Sequence, residues 1–189
     1  MRLYFKRPAD VGRLFEGKFT LPRPSNGLLI RPWRLHPLIR AGSKLAQMLD
    51  FERASRAGNA GLVRYANALL DVSARALVIL QEEKEPAVLA YAKAAEGKFM
   101  LLRCADDSII PLSVYSEEGI LKWHRGDPST PPSFTLEFKD IATLATALAQ
   151  RNDPHRDLGS GTIRLRGNIP LAEKFEQALD RIAAYIPPR

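Results

Sequence analysis

Few residues in this chain have both the type and the spacing that chemistry demands. The histidines are His36, His124 and His155, in three separate segments. None belongs to a His-x-x-x-His pair, and no Cys-x-x-Cys occurs. The single cysteine, Cys104, lies in the apolar run Phe99–Cys104, so a buried small hydrophobe is expected there and not a nucleophile. No Gly-x-Ser-x-Gly elbow is present. Asp106-Asp107 and Glu117-Glu118 are adjacent carboxylates at turn positions, where neighbours in sequence are solvated and do not form a general acid/base couple.

The run Gly159 to Phe175 is the densest motif. Gly159, Gly161 and Gly167 invite a phosphate-cradle reading. A nucleotide fingerprint, however, puts its glycines after a strand and at a helix start. Here Gly159 and Gly161 precede a strand, and Gly167 has no Lys-Ser/Thr behind it. They are expected to be turn glycines. Thr162, Arg164 and Arg166 alternate with Ile163 and Leu165, a strand with one wet and one buried face. Pro170 suits a helix's first turn. Leu171, Phe175, Ala178, Leu179, Ile182 and Ile186 then form one apolar stripe, stopped by Pro187-Pro188.

The other elements follow by the same periodicities. Leu38, Ala41, Leu45, Met48 and Leu49 give a first helix reaching Glu52, and Gly58-Asn59-Ala60-Gly61 reads as a loop. A second helix is expected from Leu62 to about Gln81, and a short one from Pro86 through Ala95, closed by Gly97. Lys98–Cys104, Ile109–Tyr115 and Ile120–Arg125 predict an antiparallel meander with turns at Asp106-Asp107 and Glu117-Glu118-Gly119. Phe134, Leu136 and Phe138 alternate with polar residues as a fourth strand. Asp140 is placed to cap a helix carrying Ile141, Leu144, Ala145 and Leu148, which Asn152-Asp153-Pro154 ends.

The 189 residues carry a net charge of +7, unevenly placed. Residues 1–44 hold ten of the 28 Lys/Arg and only Asp10 and Glu16 as acids. That arm, with Arg2, Lys6, Arg7, Arg13, Arg31 and Arg34, is a candidate contact for an anionic membrane surface, against the simpler reading of a solvated irregular segment. Its charges are dispersed, and Trp33 with Arg31 and Arg34 is the nearest case of basic residues beside an aromatic, a single cluster, so nucleic acid is not an expected partner. The N-terminus lacks a signal-peptide pattern, and the most apolar window, Leu62–Leu80, contains Arg64, Asn67, Asp71 and Arg75. The expected location is the cytoplasm, with the arm as a route to a membrane periphery.

The order helix, meander, strand, helix, strand, helix over about residues 86–186 resembles the sterol carrier protein type 2 (SCP2-like) family. Phe134-Thr-Leu-Glu-Phe-Lys-Asp140 looks like that family's strand entering its middle helix. Gly161-Thr-Ile-Arg-Leu-Arg-Gly-Asn168 with Leu171-Ala-Glu-Lys-Phe175 is similar to its last strand, turn and closing helix. A longer bacterial branch, linked to ubiquinone biosynthesis, also carries a helical N-terminal extension. The resemblance implies an α+β fold: a five-stranded, mainly antiparallel sheet with helices on one face and an apolar cavity between them. It divides the chain into a basic, Pro-rich arm with helical extension, residues 1–85, and a lipid-binding domain, residues 86–189. It implies a carrier of a lipid or other apolar molecule, with no catalytic residues, no metal and no cofactor. Candidate lining residues are Trp123, Leu144, Leu148, Phe175, Leu179 and Ile182; the competing reading is that they fill a closed core. The alternatives are an accessory or scaffold subunit, docking through the N-terminal helices, and a peripheral membrane protein.

Overall fold

The computed structural model describes residues 43–185. Residues 43–48 are helical, followed by α1 (Phe51–Arg56), α2 (Gly58–Glu82) and α3 (Pro86–Ala94). The strands β1 (Phe99–Cys104), β2 (Leu112–Glu117), β3 (Ile120–Arg125) and β4 (Phe134–Phe138) come next. Then follow α4 (Ile141–Leu148), α5 (Pro154–Ser160), β5 (Ile163–Gly167) and α6 (Ile169–Tyr185). The fold is α+β. Its five-stranded sheet runs β3-β2-β1-β4-β5, antiparallel at every neighbour except the parallel β1–β4 pair.

The register sorts the sheet residues onto two faces. Leu121, Trp123, Val114, Met100, Phe134, Leu112, Leu102, Leu136, Cys104, Phe138, Ile163 and Leu165 fall on one face and join a single apolar cluster. Helices α2, α3, α4 and α6 complete that cluster with Tyr65, Leu70, Leu77, Val88, Tyr91, Leu144, Phe175 and Ile182. The helix α2 packs on both α4 and α6 and lies across β3, while α3 packs mainly on α6. Tyr115, Phe99, His124, Leu101, Arg103, Glu137, Arg164 and Arg166 fall on the other face.

Several boundaries differ from the sequence expectation, each for a local reason. The first helix breaks at Asp50, whose carboxylate accepts the Arg53 N–H at 3.0 Å and so caps a new helix, α1. Gly58-Asn59-Ala60-Gly61 is not a loop but the first turn of α2. Gly61 is needed inside the helix because a Cβ there would collide with the Ala54 carbonyl of α1. The second strand starts at Leu112, after Pro111, which has no N–H to give a ladder, and runs on to Glu117. Glu118 and Gly119 then turn the chain with φ of 55° and 73°, the tight hairpin geometry. Asn152-Asp153-Pro154 does more than end α4. Asp153 accepts the N–H groups of His155 and Arg156, at 3.0 and 3.2 Å, and Pro154 sits at the first position of α5. Gly159 therefore lies in a helix, and Gly161 alone, at φ 73°, makes the turn into β5.

Candidate functional site

Helix α6 exists because Asn168 accepts the Leu171 N–H at 3.0 Å and because its apolar residues recur every three or four positions. That spacing turns Leu171, Phe175, Ala178 and Ile182 inward, all buried, with Leu179 half-buried beside them. Helix α4 begins at Asp140, which accepts both the N–H and the hydroxyl of Thr143 at 2.8 Å. It buries Leu144 fully and leaves Leu148 half-buried. Trp123 of β3 is half-buried, with the Arg75 guanidinium of α2 at 5.6 Å from its ring. All six candidate lining residues thus meet one continuous apolar cluster. Three of them, Trp123, Leu148 and Leu179, stand at its margin.

One wall of this cluster was not legible as such in the sequence. Helix α3 turns Val88, Tyr91 and Ala92 inward, an i, i+3, i+4 set that is its only signal. The Tyr91 ring lies 5.2 Å from the Phe175 ring. Its side chain has no solvent exposure, and its hydroxyl has no hydrogen-bond partner. Burial pushes the phenol far above its ordinary pKa, so it is a neutral donor at any physiological pH. A buried hydroxyl left unpaired costs about 1–3 kcal/mol, and buried polar atoms are nearly always paired. Tyr65, under α1, is also pushed up by burial, to about 12, with nearby Arg151 opposing the shift.

Cys104 is buried and its thiol is pushed up to about 11, chiefly by desolvation, which suppresses the nucleophilic thiolate. His124 stands edge-on to Tyr115 at 5.9 Å, and His155 opens α5. His36 and the arm residues Arg2, Lys6, Arg7, Arg13, Arg31 and Arg34 lie outside the described residues. Among the described residues, no group of three or more His, Cys, Asp or Glu could hold a metal ion, and no helix is long and apolar enough to cross a membrane.

Among the described residues, surface depressions lie elsewhere. One of about 340 Å³ is lined by Met48, Ala54, Arg64 and Tyr65 among others. One of about 350 Å³ lies between Leu89, Ala92, Lys93, Glu96, Gln81 and Gly119. One of about 260 Å³ is lined by Glu137, Lys139, Ser160, Thr162 and Arg164 among others.

The structure is therefore that of an α+β protein whose sheet carries one helical layer over a shared apolar core, with an orphaned hydroxyl inside it. Among solved structures, this chain is similar to one described as "UbiJ-SCP2 Ubiquinone synthesis protein". The two share 20% identity and a TM-score of 0.40, over 55% of this chain and 81% of that one. A double mutant of the sec-alkyl sulfatase PisA1 aligns at 14% identity and TM-score 0.36, over 93% of this chain and 32% of its own. The inverting sec-alkylsulfatase Pisa1 from Pseudomonas sp. aligns at 14% and 0.34, over 89% and 32%. No family model and no curated protein matches the chain.

Proposed function

We propose that this protein is a non-catalytic binder of an apolar molecule, held between the sheet and helices α4 and α6. In this reading Trp123, Leu144, Leu148, Phe175, Leu179 and Ile182 face the guest, and Tyr91 meets its one polar atom. The observation that carries the reading is the Tyr91 hydroxyl, a buried donor without an acceptor in an otherwise apolar wall. A guest that offers a carbonyl or hydroxyl oxygen there would supply the missing bond. Its aliphatic body would gain about 0.8 kcal/mol per buried CH₂ without any further polar contact. Entry requires α6 to lift from α3; its last turns are held by the Arg181–Glu85 ion pair at 3.2 Å. The resemblance of Gly161–Phe175 to the SCP2-like family points the same way.

The test joins native mass spectrometry of the purified protein with uptake of a fluorescent fatty acid and a fluorescent sterol. Tyr91→Phe should leave the empty protein as stable as the parent or about 1 kcal/mol more stable, because it removes an unpaired hydroxyl. It should also weaken probe binding. A protein that emerges without lipid and takes up neither probe at micromolar concentration would sink the proposal.

A second reading, an accessory subunit, draws support from the corner where exposed Leu89 lines the depression at Glu96 and Gly119 and Ile120, next in sequence to Gly119, is exposed as well. It predicts that Leu89→Lys and Ile120→Lys leave probe uptake intact while abolishing partner capture.

A further inference from the structure

The outer face of the sheet carries an arginine row with too few carboxylates. Glu137 of β4, its side chain largely buried, is approached by Arg103 of β1 at 3.6 Å and by Arg164 and Arg166 of β5 at 3.7 and 3.9 Å. Arg103 also reaches Asp107 at 3.6 Å. Lys139 extends the row along β4, exposed. Three arginines thus share two carboxylates, with Lys139 beside them. The side chains of Arg164 and Arg166 remain 59% and 66% exposed, at distances too long for good hydrogen bonds.

β5 is also an edge strand. Lys139 donates its N–H to the Thr162 carbonyl, and Asn168 donates to Ser133, on the same register as the β4–β5 pairs. Alternation then places the backbone groups of Arg164 and Arg166 toward β4. Those of Ile163, Leu165 and Gly167 point away from the sheet. Among the described residues nothing takes them up. So the free edge offers N–H and C=O groups at every second residue. Beside them stand Arg164 and Arg166, at alternate positions whose spacing along a paired strand is about 7 Å.

We infer that β5 docks an extended acidic segment of a partner protein by strand addition, with carboxylates at alternate positions meeting Arg164 and Arg166. Backbone pairing to Ile163, Leu165 and Gly167 supplies the hold, and the charge row supplies the selection. A second copy of this edge is a poor occupant, since antiparallel self-pairing would set arginine against arginine.

The experiment uses the whole chain and two fluorescent nonapeptides alternating Glu or Gln with Val. The Glu peptide should bind roughly tenfold or more tightly than the Gln peptide, with affinity falling as salt rises. Its binding should protect the Ile163, Leu165 and Gly167 amides from hydrogen exchange. Arg164→Gln with Arg166→Gln, folded by circular dichroism, should lose most of the preference. N-methylation of the Glu peptide at alternate amides should abolish binding in one of the two phases and spare it in the other. The inference is overturned if both N-methylated forms bind as well as the parent peptide. It is equally overturned if vesicles of anionic phospholipid or a single-stranded oligonucleotide bind through these arginines and the peptide does not.

Discussion

The two edges of the sheet are protected in opposite ways. At β3 the outward-facing N–H of Leu121 is capped by a side chain from α2, and the strand's end is tied to that helix by Arg125. Gln81 accepts the Leu121 N–H at 2.8 Å and donates its amide to the Gly119 carbonyl. Arg125 reaches across to Asp71 at 2.9 Å and to the Asn67 carbonyl at 2.9 Å, and also holds the Ile110 carbonyl. At β5, among the described residues, no hydrogen bond caps the outward backbone, and charged side chains flank it. A covered edge is part of the folded core's hydrogen-bond accounting; a charged edge stays open to a suitably charged strand. The difference assigns stability to one end of the sheet and recognition to the other.

Breaking the β3 side should have the largest effect. Arg125→Ala removes three hydrogen bonds and leaves Asp71 and the Asn67 and Ile110 carbonyls without that donor. It should cost about 2–3 kcal/mol, read as a lower urea midpoint at unchanged slope. A loss below about 0.5 kcal/mol would mean that α2 is held on β3 by apolar packing alone. Next comes Gln81→Ala, expected to cost about 1 kcal/mol. It should speed hydrogen exchange at Leu121 while leaving the β5 amides unchanged; equal acceleration at both edges would erase the distinction.

How much of this asymmetry was legible beforehand depended on range. The alternation in Phe134–Phe138 and Thr162–Arg166 placed both strands and the faces of their side chains, because a strand's period is written locally. The caps at Asp140 and Asn168 were also local, although Asn168 read as a turn residue. What could not be read was any contact made across the chain. Gln81 lies 40 residues from Leu121, and Asp71 lies 54 from Arg125. In sequence Gln81 is merely where a helix ends, and Arg125 merely where a strand ends. Nor did any residue announce that α2, outside the segment that resembles the SCP2-like family, packs on both α4 and α6. The lining residues were legible as an apolar stripe, which describes a filled core and an open cavity equally well. The orphaned hydroxyl of Tyr91 is visible only in three dimensions.

Acid should weaken the β2–β3 hairpin at its tip, beside the covered edge. The Glu96 carboxylate accepts the N–H groups of Gly119 and Glu118 and the Ser116 hydroxyl, each at 2.9 Å. Those bonds, that from Gly119 first, hold its pKa below the ordinary value. A depressed carboxyl stabilises the fold above its unfolded pKa, about 4.3, and loses that contribution as pH falls through the lower folded value. The Gly119 amide should therefore exchange faster, relative to Leu165, from about pH 4 downward. Glu96→Gln should flatten this dependence. If the parent and the variant show the same acid limb, the clamp carries no pH dependence and the tip is held by Gln81.

The smallest change in stability should come from the β5 side. Arg164→Gln with Arg166→Gln removes two exposed, long ion pairs, and surface pairs of that kind contribute about 0–1 kcal/mol. It also relieves the crowding of three guanidiniums around Glu137, which offsets part of that loss. The net shift should stay within about 0.5 kcal/mol, against the 2–3 kcal/mol expected for one arginine at β3. The effect belongs instead in association. With its charges gone, the edge offers unpaired N–H and C=O groups flanked by Ile163 and Leu165, and light scattering should show concentration-dependent self-association that the parent lacks. A double variant that loses 2 kcal/mol or more, with its association state unchanged, would make these arginines structural. The two edges would then differ in the chemistry of their support and not in their purpose.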